Sequence, residues 1–385
     1  MTSEPGAEPR RYFDWAASAP PDFPPPDARF PFGNPSSPHR EGREARDALE
    51  AARAKCAAVL GVPPDALYFT SGGTEANCIP LHSSLARRGS GRILASMGEH
   101  SSISQNVKSL ERLGMRVGFI PIDSSGRVTP ELLSRALEKH PDARFAAIMA
   151  VGNETGTIND IRALRGELRS ANGAPIHLHC DAAQAVGKIP VDLAGWGADS
   201  ASISAHKIGG PRGVGLLYLR RPMEALCLGG GQERKIRSGT ENVQGAAALA
   251  ACLEMRADPE RMRAEGGRAG ARWRRLLGEL KKIGRCRLIP EARGIDDGGF
   301  SPYIVQAAFE DIPGEVMARA LDGLGFAVST GAACSSSSPE RPVLAAMGIG
   351  DGLRLEGIRI SQGWATTDGE IDGLLAAIAE VLKFL

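Results

Sequence analysis

The chain has 385 residues, 42% of them hydrophobic and 24% charged, with 46 basic against 45 acidic side chains. A net charge of +1 gives no long-range attraction to nucleic acid or an anionic membrane, and no uninterrupted apolar run is long enough to span a bilayer. Seven cysteines, odd in number and never spaced C-x-x-C, argue against a disulfide framework, a zinc ribbon or an iron–sulfur site and point to a reducing cytoplasm.

Met1 to Arg10 carries acids and prolines and does not read as a secretory signal. Residues 1–38 are rich in proline and read as an extended arm or lid, not a packed element. From Arg40 to Leu60 an apolar stripe at Ala45, Leu49, Ala52, Cys56 and Val59, followed by Gly61, predicts a helix with a glycine just past its end. Strands are then expected at Ala66 to Thr70, Arg92 to Ser96, Met115 to Ile120, Phe145 to Val151, Pro175 to Cys180, Ser200 to Ser204 and Val214 to Leu219. Helical stretches separate them, one starting at Pro130. This alternation predicts an α/β fold with a mostly parallel, doubly wound sheet, in which ligands bind beyond the carboxyl ends of the strands. Asp181, Ser204 and Asn153 fall at or just past such ends.

One long helical region, Val243 to Lys282, comes next. Short strands (Arg285 to Ile289, Tyr303 to Phe309, Phe326 to Ser329, Gly357 to Ser361) then alternate with helices. Thr367-Asp368-Gly369-Glu370 has capping-box spacing and starts the last helix, whose stripe is Ile371, Leu374, Leu375, Ile378, Val381 and Leu382. The expected organisation is an arm over residues 1–30 that joins the smaller unit, a large unit over 31–257 and a small α+β unit over 258–385.

Lys207 lies in Ser202-Ile203-Ser204-Ala205-His206-Lys207-Ile208-Gly209-Gly210, between a β-branched run and a glycine turn. An isolated lysine there is a surface residue opening a loop. At the floor of a cleft, however, its amine can be desolvated and form a Schiff base. Asp181 closes another strand-like run 26 residues upstream. An acid aimed at a ring nitrogen and a lysine bonded to an aldehyde are what pyridoxal 5'-phosphate needs to act as an electron sink. Thr70-Ser71-Gly72-Gly73-Thr74-Glu75-Ala76-Asn77 follows a strand and opens a helix, a plausible phosphate cradle. It is not a P-loop, because no Lys-Ser/Thr pair follows. His177, His179 and Cys180 could suggest a metal cluster, but strand alternation puts the two histidines on one face and the cysteine on the other.

Further motifs occur in order along nearly the whole chain: Tyr12-Phe13-Asp14, Gly33-Asn34-Pro35-Ser36-Ser37 with His39, Glu99-His100, Asn153-Glu154-Thr155-Gly156, Asp181-Ala182-Ala183-Gln184, Gly229-Gly230-Gly231-Gln232-Glu233, Arg237-Ser238-Gly239-Thr240-Glu241-Asn242 and Arg359-Ile360-Ser361. With the cradle and the Lys207 segment, they make the chain resemble a cysteine desulfurase of the class V, fold-type I family of pyridoxal-phosphate enzymes.

The resemblance implies Lys207 as the Schiff-base lysine and proton carrier, Asp181 against the pyridinium nitrogen, His100 stacked on the ring and Gln184 on the ring hydroxyl. It implies phosphate contacts from Gly73, Thr74, Ser204 and His206, with Thr240 supplied by the second subunit of a homodimer. Asn34, Asn153 and Arg359 would hold the carboxylate of L-cysteine, and Asn153 would also contact the cofactor. Cys334, in Ser329-Thr330-Gly331-Ala332-Ala333-Cys334 before Ser335 to Ser338, would take the sulfur as a persulfide for an acceptor protein, a scaffold or sulfur carrier. The serine-rich loop resembles the long-loop group. The family usually has Asn where Trp15 and Gly152 stand, and the chain ends at Leu385 without the tail that housekeeping members dock on scaffolds, so the resemblance names no particular acceptor. A selenocysteine lyase, a class V aminotransferase and a non-catalytic sulfur-trafficking homologue are the competing readings; a transaminase has no need of Cys334.

Overall fold

The structure is a computed structural model that describes residues 10–23, 30–86, 91–170, 173–331 and 341–385. In chain order the first half holds β1 (Arg11–Tyr12), α1 (Arg40–Leu60), β2 (Leu67–Thr70), α2 (Gly73–Ala86), β3 (Arg92–Ser96), α3 (Ser101–Arg112), β4 (Val117–Ile120), α4 (Pro130–Lys139), β5 (Ala143–Ala147), α5 (Ile161–Glu167), β6 (His177–Asp181), β7 (Ser200–Ser204) and β8 (Gly215–Leu219). The second half holds α6 (Val243–Arg256), α7 (Pro259–Leu280), β9 (Cys286–Ile289), β10 (Ile304–Phe309), α8 (Gly314–Gly323), β11 (Phe326–Ala327), α9 (Pro342–Ala346), α10 (Asp351–Glu356), β12 (Gly357–Ser361) and α11 (Asp368–Phe384).

The main sheet has the order β2-β8-β7-β6-β5-β3-β4. Only β8 is reversed, antiparallel to both β2 and β7. The other strands therefore deliver their carboxyl ends to one edge of the sheet, and the segments that follow β2, β3, β6 and β7 meet there. Alternation along each strand divides the core: Leu94 and Ala146 join α1 and α6 on one face, while Ile93, Ala95, Phe145 and Ala147 meet α2 and α3 on the other. A second core packs α7, α8 and α11 on the three-stranded sheet β12-β10-β9 and includes Phe13 from the N-terminal segment.

The helix α1 ends where the sequence predicts, with Gly61 at φ 64°, a left-handed conformation that glycine adopts without steric penalty. The capping box at Thr367 and Glu370 forms in both directions. Three expectations need correction. The N-terminal segment does pack: β1 pairs β11 in parallel, and Phe13 and Trp15 are buried, because their large apolar side chains gain more by leaving water than by staying in an open arm. The long helix breaks at Asp258, whose side chain accepts from Arg261 N (2.8 Å); Pro259 disfavours helical backbone in the residue before it, so α6 and α7 are separate helices. The strand expected from Phe145 to Val151 ends at Ala147, because Met149 N turns to Glu99 Oε1 (2.7 Å) instead of continuing the ladder towards β3. Its other edge still follows β6, through Ile148 N to His179 O (3.0 Å) and Ala150 N to Asp181 O (2.9 Å).

Candidate functional site

Four strand ends supply the candidate site. β2 leads through Ser71 and Gly72 into the first turn of α2, whose N–H groups have no acceptor within the helix. Ser204, the last residue of β7, stands against that turn: a Cβ built on Gly73 would lie 3.3 Å from Ser204 Cβ. Beyond Ser204 a single 3-10 turn, Ala205–Lys207, carries His206 and Lys207. Lys207 Nζ donates to the carbonyls of Ala16 (2.5 Å) and Ala17 (2.9 Å), so the N-terminal segment closes one side of the site. His206 Nδ1 lies 3.3 Å from Ser18 Oγ of the same segment. Burial, with the positive charges of Lys207, Arg212 and Lys188, pushes the His206 ring down to about 4.

Asp181 ends β6, and both its oxygens accept: Oδ2 from Asn77 Nδ2 (2.8 Å) and Oδ1 from Ala183 N (2.9 Å). Because a carboxylate oxygen facing Asn77 only accepts, the carboxamide orientation is fixed, and Asn77 Oδ1 must accept from His179 Nε2 (2.8 Å). His179 Nδ1 then accepts from Ser200 Oγ (2.8 Å), which in turn accepts from His177 Nε2 (2.8 Å). Burial, with His177 beside it, pushes His179 down to about 3, as a neutral ring with one donor and one acceptor nitrogen requires. His177 and His179 both stack on Phe145, at 4.9 and 6.2 Å between centroids, and Cys180 enters the opposite core. The two histidines thus serve the network behind Asp181.

Asn77 Nδ2 also donates to Ser102 Oγ (2.8 Å), and Ser102 Oγ meets His100 Nδ1 at 2.8 Å. His100 caps α3 by accepting from Ser102 N (3.1 Å) on that same nitrogen, which leaves its proton on Nε2. Burial pushes the His100 ring below its ordinary value; Asp181 pulls the other way, and Lys207 and Arg359 add to the fall. Neither Asn77 nor His179 was named as a site residue from sequence, although Asn77 closes the cradle motif and His179 sits two positions before Asp181.

On the far side, β12 presents Arg359, which is 3% exposed. Its Nη1 donates to Asn153 O (2.9 Å), and its Nη2 to Asp14 Oδ1 (2.7 Å) and Ser329 Oγ (3.1 Å); Nε is buried without a partner among the described residues. Arg359 and Asn153 are therefore brought together. Asn34 is not joined to them: it is exposed, and its Oδ1 accepts from Ser36 N (2.9 Å) in its own loop. Thr74 and Thr240 are exposed as well. The loop bearing Thr240 is tied to α2 through Arg237 Nε and Glu75 Oε1 (3.2 Å) and to β2 through Glu233. Gln184 is buried, donating from Nε2 to Ala16 O (2.8 Å). Cys334 lies outside the described residues.

Trp15 is buried. Its ring packs edge-on against Trp364 (4.8 Å) and fills the space a side chain at Gly363 would need, and its Nε1 donates to Tyr12 O (2.9 Å). That anchorage fixes the turn whose carbonyls receive Lys207. At Gly152 a Cβ would lie 3.3 Å from Thr155 Oγ1, which leaves little room for a larger side chain.

A doubly wound α/β sheet with a lysine, a carboxylate and a histidine at its carboxyl edge defines a class of proteins, and the Aminotransferase class-V family matches residues 29–374. The chain belongs to that family. It is 39% identical to a cysteine desulfurase of Cereibacter sphaeroides, covering 92% of this chain and 89% of that one. It is 37% identical to a NifS/IcsS protein homolog of Lactobacillus delbrueckii subsp. bulgaricus, over 91% and 90% of the two chains. Among solved structures, a NifS-like protein superposes with a TM-score of 0.87 at 33% identity, covering 98% of this chain and 100% of that one.

Proposed function

We propose that this protein is a pyridoxal-phosphate-dependent cysteine desulfurase, converting L-cysteine to L-alanine and passing the sulfur through a persulfide on Cys334 to an acceptor protein. The observation that carries the reading is the convergence of Lys207, Asp181 and His100 at the ends of neighbouring strands, with Arg359 across from them. The residues suit the cofactor. Ser202 Oγ is buried without a partner among the described residues, a helix N-terminus offers free N–H groups beside Ser204, and Asp181 presents a carboxylate held by two donors. Gly73, Thr74, Ser204 and His206 would hold the phosphate, with Thr240 from a second copy in a homodimer. Asp181 would face the ring nitrogen, His100 the ring and Gln184 the ring oxygen.

Bound there, the cofactor supplies an electron sink for the bond broken at the substrate Cα. Lys207 takes up and returns the proton at that carbon. Arg359, with Asn153, orients the substrate carboxylate; a guanidinium suits this task because its donors form a planar fork. His100, kept neutral by burial, handles the thiol proton through Nε2. Cys334 Sγ bonds to the substrate sulfur as the Cβ–S bond breaks, leaving the carbon skeleton to be protonated to alanine. No helix among the described residues is long and apolar enough to cross a membrane, and the six described cysteines are free; both fit the proposed cytoplasmic location. We assign the cofactor to the unit over 31–257 and Cys334 to the unit over 258–385, with residues 1–30 as the joining arm.

The test is to incubate the purified protein with pyridoxal phosphate and cysteine, quantify alanine and map the persulfide by mass spectrometry. Alanine should form without a keto acid, and Cys334→Ser should abolish its release together with sulfide while retaining the visible absorption of bound cofactor. Continued desulfuration by that variant, or a persulfide on another cysteine, refutes the assignment.

A further inference from the structure

Lys188 lies in the turn that follows β6, seven residues beyond Asp181, and the proposed chemistry leaves it without a role. It is 7% exposed, and its Nζ donates to Gln184 Oε1 (2.5 Å). The charged groups that act on it are Lys207 from the turn after β7 and Arg359 from β12, both cations. No carboxylate pairs with it among the described residues. Burial, reinforced by those two charges, pushes its amine down to about 7. A buried amine without a counterion is a costly way to fill space that methylene groups would fill as well.

Its bond to Gln184 does something a methylene cannot. A carboxamide can sit in either of two flipped orientations, which differ only in which edge donates. The two neighbours of Gln184 act together: a backbone carbonyl only accepts, so Nε2 must face Ala16 O (2.8 Å), and the oxygen on the other edge then accepts from Lys188 Nζ (2.5 Å). That same carbonyl receives Lys207 Nζ (2.5 Å), which places the N–H edge of Gln184 beside the reactive amine. Nε2 makes one hydrogen bond, so its second hydrogen is available to an acceptor in the site. We propose that Lys188 is a positioning residue that fixes the Gln184 carboxamide with its N–H edge turned into the Lys207 site, where it donates to an oxygen of the bound cofactor. Without Lys188 the amide oxygen loses its donor, and the bond from Nε2 to Ala16 O is left as the one contact that opposes the flipped orientation, in which an oxygen would face the ring oxygen.

This inference rests on the proposed cofactor and is tested by its affinity, not by turnover. Pyridoxal-phosphate dissociation constants are measured by absorbance and fluorescence titration for the unmodified protein, Lys188→Met, Gln184→Ala and the double variant, with thermal melting of each cofactor-free protein alongside. Lys188→Met should weaken cofactor binding roughly ten-fold, the loss of about one hydrogen bond, and should have no further effect in the Gln184→Ala background. An equal loss in both backgrounds, or affinity within two-fold of the parent, overturns the proposal. Should Lys188→Met not fold, Lys188→Gln keeps an N–H donor for Gln184 Oε1 without the charge; parental affinity is then expected, and a ten-fold loss overturns the proposal. If the unmodified protein takes up no cofactor, the proposed function fails; if it does and only the cycle is additive, the inference about Lys188 fails alone.

Discussion

Glu99, immediately before His100, provides a quantitative test of how this site is built. It is 4% exposed, and Oε1 accepts from Ser96 Oγ (2.6 Å) and Met149 N (2.7 Å), while Oε2 has no partner among the described residues. Burial pushes its carboxyl up to about 8, from an ordinary 4.5; Asp181 adds to the rise, and the two hydrogen bonds oppose it. Between those two values the folded protein holds a proton that the unfolded chain has released. The stabilisation is complete below pH 4.5 and is lost as pH rises to 8, at roughly 1.4 kcal/mol per pH unit. Glu99→Gln imitates the protonated acid: its oxygen keeps both acceptor bonds and nothing titrates. Relative to the parent, the variant should therefore gain about 2 kcal/mol in stability between pH 6 and pH 8. Urea denaturation of the cofactor-free proteins at pH 6, 7 and 8, followed by tryptophan fluorescence, measures the difference. A difference that stays constant with pH refutes the claim that Glu99 is protonated in the folded protein.

Three further perturbations address the network and its supports. Asn77→Ala strips Asp181 Oδ2 and His179 Nε2 of their shared partner, and should destabilise the protein by about 3–5 kcal/mol in denaturation curves; a loss below about 1 kcal/mol would mean the network is dispensable. Glu233 binds Arg53 through both oxygens (2.7 and 2.8 Å) and accepts from Phe69 N (2.8 Å) in a buried site. Glu233→Ala leaves Arg53 with only Glu50 (3.1 Å) and Leu67 O (2.8 Å) as hydrogen-bond partners among the described residues and Phe69 N with none from that side chain, and should cost about 2–3 kcal/mol, with hydrogen exchange rising first in β2 and the segment after Gly229. His179 and His206 are held near 3 and 4, against an ordinary 6.5, so they stabilise the fold above pH 6.5 and that contribution is lost as pH falls towards 4. His179→Asn should flatten the acid side of the stability profile, and an unchanged profile contradicts the neutral, doubly bonded ring.

Much of the fold was legible because its signals are local. The end of α1 at Gly61, the capping box at Thr367 and the bounds of β3, β7 and β12 each depend on residues within a few positions of one another. The errors arose where a distant or subtle influence decided. Glu99, fifty residues away in sequence, takes the N–H of Met149, and Pro259 with the Asp258 cap divides a pattern whose apolar periodicity continues across the break.

The site divides in the same way. Sequence by itself singled out Lys207, Asp181 and the glycine turn before α2 as candidates, because a strand end followed by small residues marks where an α/β sheet places its ligands; His100 entered through the resemblance. Only the tertiary structure decided what those residues work against. The orientation of Asn77 behind Asp181, the carbonyls of Ala16 and Ala17 that receive Lys207, the pairing of Arg359 with Asp14 and Asn153, and the buried amine of Lys188 all join residues far apart in the chain. Hydrogen-bond direction and burial are properties of such three-dimensional neighbours, and no period or motif within the sequence encodes them.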